Sequence, residues 1–278
     1  MDDPLKHTPS NAELFLQDFH QRRPGTTSVA FAPLNIAGRG SSYAVLAAIV
    51  DCTERPQTVL DIACGDGYLL HLLAEQDPAL TLIGVDMSHN ELAAARQRLG
   101  TRGQLLHERA QALSLPAASV DVALSHLALM LMDDLQQVLD EVRRVLRPGA
   151  TFAAIVGRGF LLGEIGELYL QAFRSVAREH ALPALPMGDP RTRSEAGWRE
   201  LLGARFSAIE FEELDVEWHP HFEELWTSLN DTYDLDRLSP TGQALLKQRL
   251  AASITPLLHA DGTIPTGWGL RLIRATAA

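Results

Sequence analysis

The chain is 278 residues long and 46% hydrophobic, enough for one large core or a core with an insertion, and its formal charge of −11 would repel a phosphate backbone. No dense Lys/Arg run offsets that charge, no apolar span approaches twenty residues, and Met1 to Ser10 is not a charged-then-apolar leader, so nucleic acid, membrane insertion and export are not expected and the cytoplasm is the default location. Cys52 and Cys64 are too few for a disulfide framework or a zinc site.

The first expected element is a half-apolar helix through Leu14, Phe15, Asp18 and Phe19. Ser10 and Glu13 form a capping-box pattern at its start, and Pro24 with Gly25 stops it. Leu34 to Leu46 reads as a Gly/Ser-rich loop feeding a helix that runs to about Val50. Val59 to Ala74 then gives a buried strand ending at Asp61, a turn with Gly65 and Gly67, and a helix with Leu69, Leu70, Leu72 and Leu73 on its core face. Glycines in such a turn let the backbone approach a ligand, and the opening helix offers unpaired amides. In a dinucleotide fingerprint the third glycine would fall at Leu70, which counts against nicotinamide or flavin. Cys64, inside the turn, reads as a small apolar filler.

Thr81 to Asp86 is the next strand, and its terminal acid lies about twenty residues past the glycines, where a ribose-binding carboxylate is expected. The alternative is that Asp86 only starts the turn before Ser88, which with Glu91 forms a second capping-box pattern for a helix through Leu99. Gln104 to Pro116 carries a third strand and its loop. Val120 to Leu124 is a fourth, followed by a helix on Leu135, Val138, Leu139, Val142 and Leu146 that Pro148 and Gly149 stop before a fifth strand. Asp133 and Asp134 read as the cap and first turn of that helix. Strand and helix alternate, so the expected fold is α/β, a doubly wound Rossmann-like sheet. Ligands should then lie beyond the carboxyl ends of its strands, at Asp61, Asp86, Gln111 and Ser125 to His126.

Past Gly157 a helix with Ile165, Leu168, Tyr169, Ala172, Phe173 and Val176 on one face leads through a proline-rich loop to a helix at Trp198 to Leu202. Alternation predicts strands over Phe206 to Val216 and near Gly267 to Ala277, with helices at Phe222 to Leu229 and Pro240 to Leu258 between them. Tyr169, Phe173, Trp198, Trp218, Phe222, Trp226 and Tyr233 either line an apolar pocket or form ordinary core. His219, His221 and Glu223 lack a further spaced ligand pair and read as a loop that begins a helix, so no metal is expected.

Asp61, Ala63, Gly65 and Gly67 resemble motif I of class I S-adenosylmethionine-dependent methyltransferases, acid-x-Gly-x-Gly-x-Gly, with Ala63 in place of the first glycine. The match extends over about Val59 to Val156 and is similar to the type 11, ubiquinone-biosynthesis-like small-molecule enzymes. That resemblance implies a seven-stranded sheet, mostly parallel with an antiparallel last strand, and S-adenosylmethionine as cofactor. It makes Asp61, Ala63, Gly65, Asp66, Gly67, Asp86, Met87 and Ser125 cofactor contacts. In the family an acid and an alanine precede Leu-Pro in the loop after the third strand; Leu115 and Pro116 place Gln111 and Ala112 there, against the adenine, and a glutamine carbonyl accepts the same hydrogen bond without charge assistance. Arg39 either pairs with the cofactor carboxylate, as basic residues ahead of motif I do in some members, or is a solvated loop residue.

The resemblance divides the chain into a helical lid at 1–50, a cofactor core at 51–157, a helical cap insertion at 158–205 and completing strands and helices at 206–278. Phe15, Phe19 and His20 of the lid then lie near substrate, unless that helix packs outside the sheet, and Tyr169 and Trp226 are candidate substrate contacts from the later helices. His126, after the fourth strand, is the candidate catalytic group, either as a base for a protonated nucleophile or as a pocket residue that moves no proton. The expected activity is methyl transfer to an O, N, S or C nucleophile of a small organic molecule; the acceptor and the oligomeric state are open. The alternatives are a nucleic-acid methyltransferase, a non-catalytic cofactor-binding module and a nicotinamide oxidoreductase.

Overall fold

A computed structural model describes residues 9–51, 57–159 and 161–278; Cys52 lies outside them. Three helices come first, α1 (Asn11–Arg22), α2 (Thr26–Phe31) and α3 (Ser42–Ala47). The alternating unit follows: β1 (Thr58–Ile62), α4 (Tyr68–Gln76), β2 (Thr81–Asp86), α5 (His89–Leu99), β3 (Gln104–His107), β4 (Val120–His126), α6 (Leu135–Val145) and β5 (Leu146–Gly159). The rest is α7 (Gly163–Glu179), α8 (Glu195–Leu202), β6 (Phe206–Trp218), α9 (Phe222–Asn230), α10 (Tyr233–Asp236), α11 (Pro240–Ile254) and β7 (Thr266–Ala277).

The sheet has seven strands in the order β3-β2-β1-β4-β5-β7-β6. Its first four pairings are parallel, and β7 runs antiparallel to both β5 and β6, so it alone is reversed. Strand residues alternate between two cores, as a period of two requires. Val59, Val122, Leu124, Ala153 and Ile155 face α3, α4, α7, α9 and α11, while Leu60, Ile62, Ala123, Phe152 and Ala154 face α6 and α8. On α6, Leu135, Val138, Leu139, Val142 and Val145 are all buried, which is the stripe that binds it to the second face.

Two expectations change, and the segment named as a cap is located. The helix ends at Val145 and β5 begins at Leu146, ahead of Pro148 and Gly149; the β4–β5 register passes from Val120↔Leu146 to Val122↔Thr151, so that pair sits in a bulge inside the strand, with Gly149 at φ +77°. Residues 158–205, expected as an inserted cap, put α7 on one face of the sheet and α8 on the other. Trp198 of α8 is fully buried in the second core, its indole N–H donating to the Thr192 carbonyl at 2.9 Å. Neither capping box closes: Ser10 and Ser88 cap α1 and α5, but the side chains of Glu13 and Glu91 turn away from the caps to partners described below.

Candidate active site

The turn after β1 is left-handed at three positions, Ala63 (φ +55°), Gly65 (φ +52°) and Gly67 (φ +74°). Glycine takes this conformation freely, whereas Ala63 bears a strain of roughly 1–2 kcal/mol. Gly67 is also required by packing, since a Cβ there would lie 3.0 Å from that of Ala95 on α5. The Gly65 N–H donates to Asp86 Oδ2 at 2.9 Å and the Ser88 N–H to Asp86 Oδ1 at 2.8 Å, so the acid at the end of β2 braces the turn at the end of β1. Burial pushes the Asp86 carboxyl up despite these two bonds. Asp61 is pushed well above the usual carboxylate range, by burial first and then by repulsion from Asp86 and Asp66.

These groups open onto a cleft at the carboxyl ends of β1, β2 and β4 that encloses about 1080 Å³ including its mouth. Over it lies α1, which contributes Glu13, Leu16 and His20. Glu13 holds Arg109, in the loop after β3, through two bonds of 2.6 Å. Glu91 on α5 takes His20 Nδ1 at 2.8 Å and the Gly25 N–H at 2.9 Å, and His20 Nε2 meets the Tyr233 hydroxyl of α10 at 3.0 Å. At the far wall His126 is buried, stacks on Tyr43 with ring centroids 3.7 Å apart, and shares Nε2 with the Ser42 hydroxyl at 2.9 Å. Burial lowers its imidazole to about 3, so it is neutral at physiological pH.

Residues 60–154 match the family model described as "Methyltransferase domain". They are a class I, type 11 methyltransferase domain. The chain is 38% identical over 94 residues to a "Probable S-adenosylmethionine-dependent methyltransferase" of Mycolicibacterium smegmatis, a match covering 34% of this chain and 35% of that one, and S-adenosylmethionine is the cofactor of this class. The chain is 30% identical over 146 residues to "Malonyl-[acyl-carrier protein] O-methyltransferase" of Serratia marcescens, a match covering 52% of this chain and 55% of that one. It is 31% identical over 134 residues to "U6 snRNA (guanine-N(2))-methyltransferase THUMPD2" of Bos taurus, covering 45% of this chain and 27% of that one. Thus it spans between 27% and 61% of the curated relatives' own length. Among solved structures, a putative type II methyltransferase from Anaeromyxobacter dehalogenans has a TM-score of 0.58 at 23% identity, with 84% of this chain and 94% of that one covered, which shows the same fold.

The methyltransferase domain brings Asp61, Ala63, Gly65, Asp66, Asp86, Met87, Gln111, His126 and, from α1, His20 to the cleft. Asp66 is occupied there by the Ser28 hydroxyl at 2.6 Å and by Arg98. Several expected residues are held elsewhere. Arg39 pairs with Glu212 on the edge strand β6, and the Ala112 N–H donates to the Arg109 carbonyl within its own turn. Ser125 is buried beneath the turn with its hydroxyl on the Ile62 carbonyl at 3.0 Å, and Gly67 serves helix packing. Phe15 and Phe19 pack against the Tyr233 ring, with centroids 6.2 and 4.8 Å away, while Tyr169 and Trp226 belong to the first core. His221 caps α9 and Glu223 pairs with Lys247; among the described residues no group of three or more metal-ligating side chains converges.

Glu13, Glu91 and Arg109 line the cleft without having been expected there, and Tyr233 is the member of the seven aromatic candidates that does reach it. The one signal for the two glutamates was their capping-box spacing, which located them on helices but pointed their side chains the wrong way.

Proposed function

We propose that the protein transfers a methyl group from S-adenosylmethionine to a small organic molecule, leaving S-adenosylhomocysteine. The observation that carries this is the acid pair at the strand ends: Asp86, which braces Gly65, and Asp61, buried with no cation partner among the described residues. Buried carboxylates in that state suit a ligand that brings hydroxyl donors and positive charge, which is the chemistry of a ribosyl sulfonium amino acid. When bound, the cofactor supplies a methyl group already activated on sulfur, so the chain's task is alignment and exclusion of water.

In this reading Asp86 receives ribose hydroxyls on the lone pairs its two amide bonds leave free. Gln111 reads the adenine. Its Nε2 donates to the Asp133 carbonyl at 2.8 Å, and because a carbonyl only accepts, the amide oxygen must point the other way, as an acceptor. Glutamine therefore suits this position better than the family's acid, which would set a carboxylate oxygen against that carbonyl. His126, neutral and wedged between Tyr43 and Ser42, shapes the pocket and takes no proton. A small acceptor is favoured over RNA by the cleft lining, in which carboxylates outnumber cations.

Calorimetric titration with S-adenosylmethionine and S-adenosylhomocysteine, on the parent and on Asp86→Ala, tests this. The expected result is micromolar binding weakened at least ten-fold in the variant; no heat with either ligand in folded protein overturns it.

A further inference from the structure

Accepting the cleft as a methyltransferase site, we propose that its acceptor is an apolar amine and that carboxylate-bearing acceptors are excluded. Charge at the cleft is one-sided. Among the described lining residues, only His20, Arg109 and His126 are able to carry positive charge. Arg109 is consumed by its two-bond pair with Glu13, and His20 is held between Glu91 and Tyr233. His126 is buried against Tyr43 and Ser42 with no carboxylate beside it to hold a proton on its ring. Among the described residues no cation is left to receive an anionic substrate.

The acids are not consumed in the same way. Asp61, Asp86, Glu108 and Asp133 line the cleft with no ion pair among the described residues. Asp61 and Asp86 face the glycine turn and belong to the cofactor. Glu108 accepts only the Ser114 N–H, at 3.0 Å, and Asp133 has a buried Oδ2 with no hydrogen-bond partner. A carboxylate oxygen taken from water and left unpaired is costly, and a ligand N–H relieves that cost. Around it the wall is apolar, with Leu127, Leu131 and Met132, and Leu16 faces it from α1. An apolar body with a basic nitrogen matches this surface; a carboxylate adds an anion to it.

The reaction favours the same class. An ammonium entering the cleft first releases a proton to water at the mouth. The nitrogen lone pair then forms the N–C bond as the S–C bond breaks, and that bond's electron pair goes to sulfur. Positive charge moves from sulfur to nitrogen and stays among the acids, which stabilise it on both atoms.

The test holds the apolar body constant and changes its head. 3-Phenylpropylamine, 3-phenylpropanol and 3-phenylpropionate are titrated into protein saturated with S-adenosylhomocysteine. Saturation is measured first, so a failure there counts against the proposed function and not against the acceptor class. The amine is expected to bind about ten-fold or more tighter than the carboxylate, with the alcohol between. Asp133→Asn should shrink that ratio several-fold, and Leu131→Lys, which puts a cation in the wall, should bring the carboxylate level with the amine or ahead of it. Both variants are checked for S-adenosylhomocysteine binding, which each should retain. The proposal is overturned by equal or tighter binding of the carboxylate to the parent, by no binding of any head, or by an unchanged ratio in Leu131→Lys.

Discussion

Asp61 and His126 stand at the carboxyl ends of neighbouring strands, and burial moves them in opposite directions, with opposite effects of pH. Asp61 binds its proton more tightly folded than unfolded, so its contribution to stability is present below the ordinary carboxylate pKa near 4 and is lost as pH rises through the raised folded value. A cationic cofactor favours the ionised form, so binding should strengthen with pH and expel protons. Titrations in two buffers of different ionisation enthalpy should show that proton release, and Asp61→Asn should reduce it to what Asp86 contributes. His126 behaves in reverse. With a folded value of about 3 against an ordinary 6.5, stability is expected to fall as pH drops between those values, by at most about 1.4 kcal/mol per unit. Urea midpoints of the parent and His126→Gln, compared across that range, should converge at acid pH. The same value predicts no limb from His126 in a pH–rate profile.

At the scale of elements, local chemistry was legible and side-chain destinations were not. The turn with Gly65 and Gly67 and the acid at Asp86 are written within a strand and the residues that follow it, so their roles in the backbone follow from neighbours in sequence. Glu91 sits three residues after Ser88 in the pattern of a box, yet its oxygens serve His20 and Gly25, which lie 71 and 66 residues away. Nothing local encodes that choice. Arg39 similarly found a partner on β6 that only the closed sheet places beside it. Because α1 is joined to the core here through polar links, Glu91→Gln should loosen it selectively: amide exchange in Asn11–Arg22 is expected to speed several-fold while β1 and β4 stay protected. Gly84 makes the opposite prediction. A Cβ there would stand 2.7 Å from Leu70 Cδ1, 2.8 Å from Cys64 Sγ and 2.9 Å from Leu105 Cδ2, so Gly84→Ala should cost roughly 1–3 kcal/mol in a denaturation experiment through overpacking.

For the whole molecule, the parallel half of the sheet was readable because each strand and the helix after it form a repeating unit of fixed handedness. Beyond β5 that rule stops. Of the aromatic residues there that could line a pocket or form core, Tyr233, on a four-residue helix, is the one among the described residues that reaches the site. Large apolar side chains look alike in sequence whether they face a pocket or a sheet, and which they do depends on how the later helices dock. The order in which the strands are made has a consequence for the newborn chain. β6 is synthesised before β7 but touches the sheet only through it, and β5 has no partner on that side until the same twelve residues emerge. A ribosome-bound intermediate should therefore hold a finished nucleotide half beside a bare strand edge. That edge is the place for a chaperone to bind and for aggregation to begin, and truncation within Thr266–Ala277 should convert soluble protein into inclusion bodies.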